Sequence, residues 1–142
     1  MITVSGILKI KGNEVFSIAP NITVYDAIKL MSEKNIGALP VIEHGQMCGI
    51  FSERDYARKI VLLNRKSQET LVSEIMTAAV ITVKPSTTLD ECMGLMSSKK
   101  IRHLPVLEQD VLMGIISIGD VVTAIIKAQK ETIDHLQNYI TQ

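Results

Sequence analysis

Tryptophan is absent from the 142-residue chain, and aromatic residues make up only 4% of it. An excess of charge is missing as well, since 15 basic residues balance 15 acidic ones. Nucleic-acid-binding surfaces normally carry a basic excess and aromatic side chains that stack on bases, so we expect no nucleic-acid partner. No apolar run approaches the roughly 18 residues of a membrane span, so we expect no membrane partner either.

Reactive and metal-binding groups are also few. The two cysteines, Cys48 and Cys92, have no CxxC spacing, and the three histidines are scattered along the chain. We therefore expect neither a disulfide nor a metal site. No glycine-rich phosphate loop and no Ser-His-Asp or Cys-His arrangement can be argued, so no enzymatic activity and no catalytic cofactor is predicted. The first residues, MITVSGILKIKG, lack the apolar core and cleavage site of a secretory signal, which favours a cytoplasmic protein.

What the sequence does contain is an internal repeat. Residues 15–55 align without a gap with residues 80–120, and about 16 of the 41 aligned pairs are identical. This identity is far above a chance match, so one unit has been duplicated. We predict repeat 1 at residues 1–65 (core 15–63), repeat 2 at residues 66–128 (core 80–128) and a C-terminal helical extension at residues 129–142.

Each repeat predicts the element order β-α-β-β-α, and hence a mixed α/β fold. The runs Val15–Ile18 and Val80–Val83 predict strands ended by proline, and Thr23 and Thr88 predict helix N-caps ahead of an apolar stripe. The remaining strands are Ala38–Glu43 and Met47–Ser52, then His103–Glu108 and Val111–Ser117, and second helices begin near Glu53 and Gly119. A unit of about 60 residues buries too little surface to be stable alone. We therefore expect the repeats to pack through their sheets with pseudo-twofold symmetry, leaving paired clefts for small ligands.

Two motifs carry a resemblance to a known family. Repeat 1 contains I-G-A-L-P-V followed by G-I-F-S-E-R-D, and repeat 2 contains I-R-H-L-P-V followed by G-I-I-S-I-G-D. They resemble the CBS domain, named after cystathionine β-synthase, of which a tandem pair is called a Bateman module. The resemblance extends from about Val4 to about Ala128, and the chain resembles the stand-alone bacterial CBS-pair proteins.

The resemblance implies that the clefts bind adenosine-containing ligands such as AMP, ADP, ATP, NAD(H) or S-adenosylmethionine. In that family an aspartate holds the ribose hydroxyls, a nearby serine lies close to the ribose and phosphate, the pair before Leu-Pro faces the phosphates, and apolar strand residues enclose adenine. Carried over to this sequence, these residues are Ser52, Asp55, Ser117 and Asp120 for the ribose, Gly37-Ala38 and Arg102-His103 for the phosphates, and Ile18 and Ile36 or Thr82 and Ile101 for adenine.

The chemistry of the aspartates leaves a structural alternative open. An aspartate at a helix N-terminus is stabilised by the helix dipole and can accept two hydrogen bonds from a cis-diol. Asp55 and Asp120 can equally well neutralise the first turn of their own helices, with Ser52 and Ser117 as N-caps.

The pair Arg102-His103, which replaces Gly37-Ala38 of repeat 1, is the main asymmetry between the repeats. Arginine pairs with phosphate oxygens, and a histidine near its ordinary pKa can add a donor. The alternative is an arginine paired with a surface carboxylate next to a core histidine. We predict the better anion site in repeat 2, and because one basic pair suits one phosphate, AMP is the first ligand expected.

Two further basic positions have two interpretations each. Arg54 could reach a phosphate or form a salt bridge with Glu53 or Asp55. Lys11-Gly12 could bring a positive charge and closely approaching backbone to a ligand, or could form an ordinary solvated turn.

The C-terminal region has apolar residues at loose helical spacing: Val122, Ile125, Ile126, Ile133, Leu136 and Ile140. The spacing predicts an amphipathic helix that either folds back on the core or contacts a partner. Bateman modules commonly pair as disc-like dimers, so the resemblance implies a homodimer. The sequence as a whole predicts a non-catalytic sensor of adenine nucleotides (AMP, ATP, ADP or NAD(H)); the alternative is a structural or protein-interaction module with vestigial clefts.

Overall fold

The computed structural model describes residues 1–12 and 14–141, which form two compact units that cross the boundaries of the sequence repeats. We call residues 14–81 and 109–112 the central unit. The described parts of residues 1–13, 82–108 and 113–142 form the terminal unit. Each unit therefore combines the core of one repeat with the segment that precedes the core of the other.

Helices and two hairpins build both units, as the predicted mixed fold requires. The helices are α1 (Val4–Lys11), α2 (Val24–Lys34), α3 (Glu53–Tyr56), α4 (Val72–Ile75), α5 (Leu89–Lys99) and α6 (Ile118–Thr141). The strands are β1 (Ala38–Glu43), β2 (Gln46–Ser52), β3 (His103–Glu108) and β4 (Val111–Ser117). β1 pairs with β2 and β3 pairs with β4, so the mixed fold class is confirmed.

The predicted caps of α2 and α5 are confirmed. The Thr23 Oγ1 atom accepts a hydrogen bond from the Asp26 N–H at 3.2 Å. Thr88 Oγ1 accepts from the Glu91 N–H at 3.2 Å, and Glu91 Oε1 accepts in return from the Thr88 N–H at 3.3 Å. These bonds satisfy N–H groups that have no partner within the first helical turn.

Both hairpins turn where the sequence predicts. The turn residues His44 and Gly45 have φ angles of 53° and 78°, and Gln109 and Asp110 have φ angles of 50° and 65°. Two successive residues with positive φ form the type of turn that matches the twist of paired strands.

The predicted strands Val15–Ile18 and Val80–Val83 are wrong as strands. Only the last residue of each run pairs, through a single parallel bridge to Val41 in the first case and to Val106 in the second. A proline follows each bridge two residues later. Because proline lacks an N–H group, the ladder cannot continue past the bridge in the C-terminal direction. Within the described chain, the three residues before each bridge pair with no strand, so each run contributes one pairing residue.

The upstream helices α1 and α4, which the sequence patterns did not predict, are attached by reciprocal backbone hydrogen bonds. The Val4 N–H donates to the Thr87 carbonyl at 2.8 Å, and the Leu89 N–H donates to the Ile2 carbonyl at 2.9 Å. The equivalent pair of bonds joins the start of α4 to the start of α2, at 2.9 and 2.8 Å. α1 thus belongs to the terminal unit and α4 to the central unit.

The second helices of the two repeats differ in length. α3 is followed at once by a wider π-helical turn over Ala57–Val61, whereas α6 runs unbroken for 24 residues. At 1.5 Å per residue α6 is about 36 Å long. Every residue from Glu131 to Thr141 is exposed, so this part of the helix does not fold back on the core of the terminal unit.

Two glycine substitutions should change stability in opposite directions. A Cβ atom at Gly49 would lie 2.6 Å from Met76 Sδ and 3.0 Å from the Thr77 carbonyl oxygen, so we expect Gly49→Ala to lower the free energy of unfolding by about 1–3 kcal/mol. Gly94 lies exposed within α5, with no atom within 4 Å of a Cβ atom placed there. Gly94→Ala should raise the same free energy by about 0.5–1 kcal/mol. Urea unfolding of both variants measures the two effects, and a stabilising Gly49→Ala would contradict the packing described.

Candidate ligand site

The strand-to-helix junctions of the two repeats have the same local geometry. The Asp55 N–H donates to Ser52 Oγ at 3.2 Å, and Asp55 Oδ2 accepts from the Ser52 N–H at 3.0 Å. The Asp120 N–H donates to Ser117 Oγ at 3.1 Å, and Asp120 Oδ2 accepts from the Ser117 N–H at 2.8 Å. Both aspartates therefore take part in capping their helices. Any contact with a ligand would be made in addition to this capping.

Around Asp55, in the central unit, the carboxylate is enclosed by protein partners. Besides the bond from the Ser52 N–H to Oδ2, Oδ1 accepts a hydrogen bond from Thr77 Oγ1 at 3.1 Å and lies 3.0 Å from Lys59 Nζ. Lys59 Nζ also donates to the Ile75 carbonyl at 2.9 Å. Only 9% of the Asp55 side chain is exposed. Both oxygens are engaged, so this carboxylate ties α3 to the segment around α4.

Around Asp120, in the terminal unit, the carboxylate is more open. The Lys11 Nζ atom, at the end of α1, lies 2.6 Å from Asp120 Oδ2 and donates to the Ile115 carbonyl at 2.7 Å. The Asp120 side chain is 24% exposed and the Lys11 side chain 32%. Burial opposes ionisation of Asp120, but the Lys11 ammonium and the Ser117 N–H outweigh it and hold the pKa of the carboxyl below its usual value. Asp120 is therefore an ionised acceptor at neutral pH.

A backbone bond brings the pair Arg102-His103 to the same place. The Ile118 N–H, at the start of α6, donates to the Arg102 carbonyl at 2.8 Å, so the start of β3 lies against the N-terminus of α6. The Glu53 N–H makes the equivalent bond to the Gly37 carbonyl at 3.1 Å in the central unit. Each junction therefore lies beside the two residues that precede Leu-Pro in its own repeat. This pair is basic in the terminal unit and uncharged in the central unit.

His103 is influenced by its charged neighbours. Burial lowers the pKa of His103, the positive charges of Lys11 and Arg102 lower it further, and the Asp120 carboxylate acts against them. The expectation of a pKa near the ordinary value is therefore corrected, and His103 is neutral at neutral pH. Within the described residues no carboxylate forms a salt bridge with Arg102, in contrast to the surface-pair alternative.

The predicted site residues fall into two groups, one in each unit. The terminal unit contains Lys11, Gly12, Thr82, Ile101, Arg102, His103, Ser117 and Asp120. The central unit contains Ile18, Ile36, Gly37, Ala38, Ser52, Arg54 and Asp55.

Several members of these groups have mainly structural surroundings. Ile18 is 8% exposed and packs within the core of the central unit. Ile36 and Ile101 are half-buried residues whose N–H groups close the ends of α2 and α5. Gly12 ends α1 with a φ of 96°, a conformation that favours glycine, and its N–H donates to the Leu8 carbonyl at 2.7 Å.

Two residues that contact Asp55 were not predicted. Lys59 follows Asp55 by four residues, and that spacing on a helix is a signal from which the ion pair could have been found. Thr77 lies 22 residues from Asp55 along the chain, and no local pattern connects the two.

The part of the chain that the structure describes contains neither a metal-binding cluster nor a membrane-spanning helix. No group of three or more histidine, cysteine, aspartate or glutamate side chains is arranged to hold a metal ion there. Among the same residues, no helix is both long and apolar enough to cross a membrane.

Comparisons with known proteins indicate the same family for both repeats. Residues 4–62 and 72–127 match the family model of the CBS domain. A solved protein with CBS domains from Burkholderia ambifaria is 52% identical, with a TM-score of 0.86 over 89% of this chain and 96% of that one. The mitochondrial CBS domain-containing protein CBSX3 of Arabidopsis thaliana is 40% identical over 97% of this chain and 71% of its own length. The CBS domain pair of protein MJ0100, solved with 5′-methylthioadenosine and S-adenosyl-L-methionine, is 27% identical, with a TM-score of 0.79 over 91% and 98%.

Removal of the two aspartates should separate their structural roles. Asp55→Ala removes the buried acceptor of the Ser52 N–H, the Thr77 hydroxyl and the partly exposed Lys59 ammonium, so we expect the free energy of unfolding to fall by about 2–3 kcal/mol. Asp120→Ala removes a partly exposed pair and one N-terminal cap interaction, and should cost about 1 kcal/mol. Chemical denaturation at pH 7 measures both, and equal losses would contradict the difference in enclosure.

Proposed function

The chain belongs to the CBS domain family, as its two motifs predict, and we propose that it is a non-catalytic sensor of adenine nucleotides with its ligand site in the terminal unit. The difference between the two aspartates carries the proposal. Asp55 is buried with partners on both carboxylate oxygens, whereas Asp120 is partly exposed beside Lys11, Arg102 and His103.

In the proposed complex, Asp120 accepts hydrogen bonds from the ribose hydroxyls. Its carboxylate is ionised and lies at the N-terminus of α6, where the helix dipole adds positive potential. The two ligands named for protein MJ0100 both carry a ribose diol, which supports the assignment of Asp120 to this part of the ligand. Because Asp120 is less enclosed than Asp55, it has room for the diol, and Asp55 does not.

A negatively charged group at the 5′ position of the ribose suits the basic side chains nearby. The Arg102 guanidinium presents a planar pair of donors that matches two phosphate oxygens, and Lys11 adds an ammonium group. His103 is neutral before binding, and an arriving phosphate would favour its protonated form. One such set of donors suits one phosphate, so AMP is the ligand we propose first, ahead of ATP, ADP and NAD(H).

The contact between Lys11 and Asp120 gives the site a means of signalling. Lys11 is the last residue of α1, and its ammonium already contacts the carboxylate oxygen that a diol would use. A bound nucleotide would shift Lys11 from Asp120 toward the phosphate and thereby change the position of α1. A ligand that favours the shifted arrangement moves the population toward it.

Titration calorimetry of AMP against the purified chain tests the site. We expect binding with a Kd below about 1 mM, and we expect Asp120→Ala to weaken it by about 10- to 100-fold, because two charge-assisted hydrogen bonds are lost. Asp90→Ala, a matched change in the first turn of α5, should bind AMP as the parent chain does. Absence of AMP, ATP and NAD(H) binding at 1 mM, or equal binding by Asp120→Ala, would sink the proposal.

Exchange of the basic pair for its repeat 1 counterpart tests the phosphate contact. The double substitution Arg102→Gly/His103→Ala should reduce the affinity for AMP by about tenfold or more and leave the affinity for adenosine nearly unchanged. The ratio of the two dissociation constants is the measurement. A parallel loss of adenosine binding would mean that the pair supports the fold and not the phosphate.

The alternative function is a structural or protein-interaction module, and the surroundings of Asp55 favour it for the central unit. On that interpretation both aspartates serve only as caps, and no small molecule accompanies the protein through native purification. Mass spectrometry of the purified protein distinguishes the two functions, and incubation with nucleotides followed by chromatography detects any turnover.

A homodimer and a cytoplasmic location complete the proposal, although one relative is named as mitochondrial.

A further inference from the structure

The exposed side of α6 carries a heptad pattern. From Val122 onward, residues at alternating spacings of four and three form one stripe, which consists of Val122, Ile126, Gln129, Ile133, Leu136 and Ile140. In heptad terms, isoleucine occupies all three a positions, and the d positions hold valine, glutamine and leucine. A repeat of 3.5 residues is typical of helices that wind around one another. We call these six residues the heptad stripe.

The heptad stripe is uncovered within the described part of the chain. Ile126, Ile133, Leu136 and Ile140 are 60%, 55%, 54% and 80% exposed. A shallow depression on the same side of the helix is lined by Ala128, Gln129, Thr132 and Ile133. Such depressions between neighbouring turns receive the side chains of a facing helix in a coiled coil.

We propose that α6 pairs with α6 of a second copy of this chain as a short, parallel, two-stranded coiled coil. β-branched residues at a with leucine at d favour two parallel strands, and this helix has isoleucine at every a position and leucine at one d position, Leu136. A parallel pair with identical register also makes the contact symmetric, so each copy presents the same surface to the other. The contact is independent of any nucleotide.

Gln129 determines the orientation of the pair. In a parallel, in-register coiled coil the two Gln129 amides meet across the seam and can hydrogen-bond to each other. In an antiparallel pair centred on the heptad stripe, each amide would face Ile133 of the other helix and would lose its partners. A buried amide without a partner costs about 1–3 kcal/mol, which disfavours the antiparallel arrangement.

The surroundings of the stripe favour a second copy over a membrane surface. Lys127 and Lys130 are balanced by Glu131 and Asp134, whereas helices that lie on anionic membranes are rich in Lys and Arg. The five apolar side chains present on the order of 500 Å² per copy, so a pair of helices would bury about 1,000 Å², the size of a small specific interface. The fixed start of α6 at the Ser117–Asp120 cap supplies the helix nucleus that a short coiled coil otherwise lacks.

Sedimentation of the full chain without nucleotide tests the pairing. We expect a dimer at micromolar concentration, and Ile133→Glu should weaken its dissociation constant by about 100-fold, because a charge replaces an apolar residue in the seam. Asn138→Glu makes the same charge change on the opposite side of the helix and should leave the dimer intact. Both positions are exposed in the single chain, so circular dichroism should find both variants folded. A monomeric parent chain, or a dimer that survives Ile133→Glu, would overturn the inference and assign the stripe to another partner.

Cross-linking tests the orientation. In the parallel pair, Leu136→Cys places two cysteines across the seam at a separation that a disulfide can span, while in the antiparallel pair these residues are about 15 Å apart. Mild oxidation should therefore link Leu136→Cys as a dimer, and Asn138→Cys, on the outer side, should remain unlinked. The parent chain, with Cys48 and Cys92, gives the background. No link at position 136 in a dimeric sample contradicts the parallel pair. Failure of this test leaves nucleotide binding untouched, and calorimetry decides that question separately.

Discussion

Two reciprocal pairs of backbone hydrogen bonds, each about 2.8–2.9 Å long, attach the upstream helices to cores that belong to the other repeat. The positions of the site residues depend on this attachment. It brings Lys11 to Asp120 in the terminal unit, and it brings Thr77 to Asp55 in the central unit. The junctions themselves are alike, with one serine and one aspartate in the same reciprocal cap. What distinguishes them is the chain segment that the backbone bonds bring alongside.

The two junctions share their backbone geometry but differ in what surrounds the aspartate. In the central unit an i,i+4 lysine and a threonine enclose the carboxylate, and the small pair Gly37-Ala38 adds no charge. In the terminal unit the lysine comes from α1, and the carboxylate of Asp120 stays partly exposed to solvent. The difference is one of enclosure: Asp55 is buried among its protein partners, whereas Asp120 stays partly exposed next to Lys11.

The sequence predicted those features whose signals are local. The caps at Thr23 and Thr88, both hairpin turns and the serine–aspartate junctions all depend on residues within a few positions of one another. The contact between Lys11 and Asp120 spans 109 residues, and no periodic pattern reports such a pair. The first strands were predicted from β propensity, but a strand also needs a pairing partner elsewhere in the chain, and only Ile18 and Val83 find one among the described residues. α1 and α4 were missed because eight and four residues carry too short an apolar pattern.

The exchange of upstream helices has a consequence for how such a chain could have arisen. A single ancestral repeat would have carried its upstream helix and its core on one polypeptide. Alone, it could not have formed the present arrangement, in which each upstream helix packs against the core of another repeat. Two copies would have had to trade helices, as in domain swapping. Gene duplication and fusion place both donors on one chain, so that a bimolecular exchange becomes an intramolecular one with a high effective concentration. Once a core no longer needed an identical partner chain to supply its upstream helix, selection could alter one junction without altering the other.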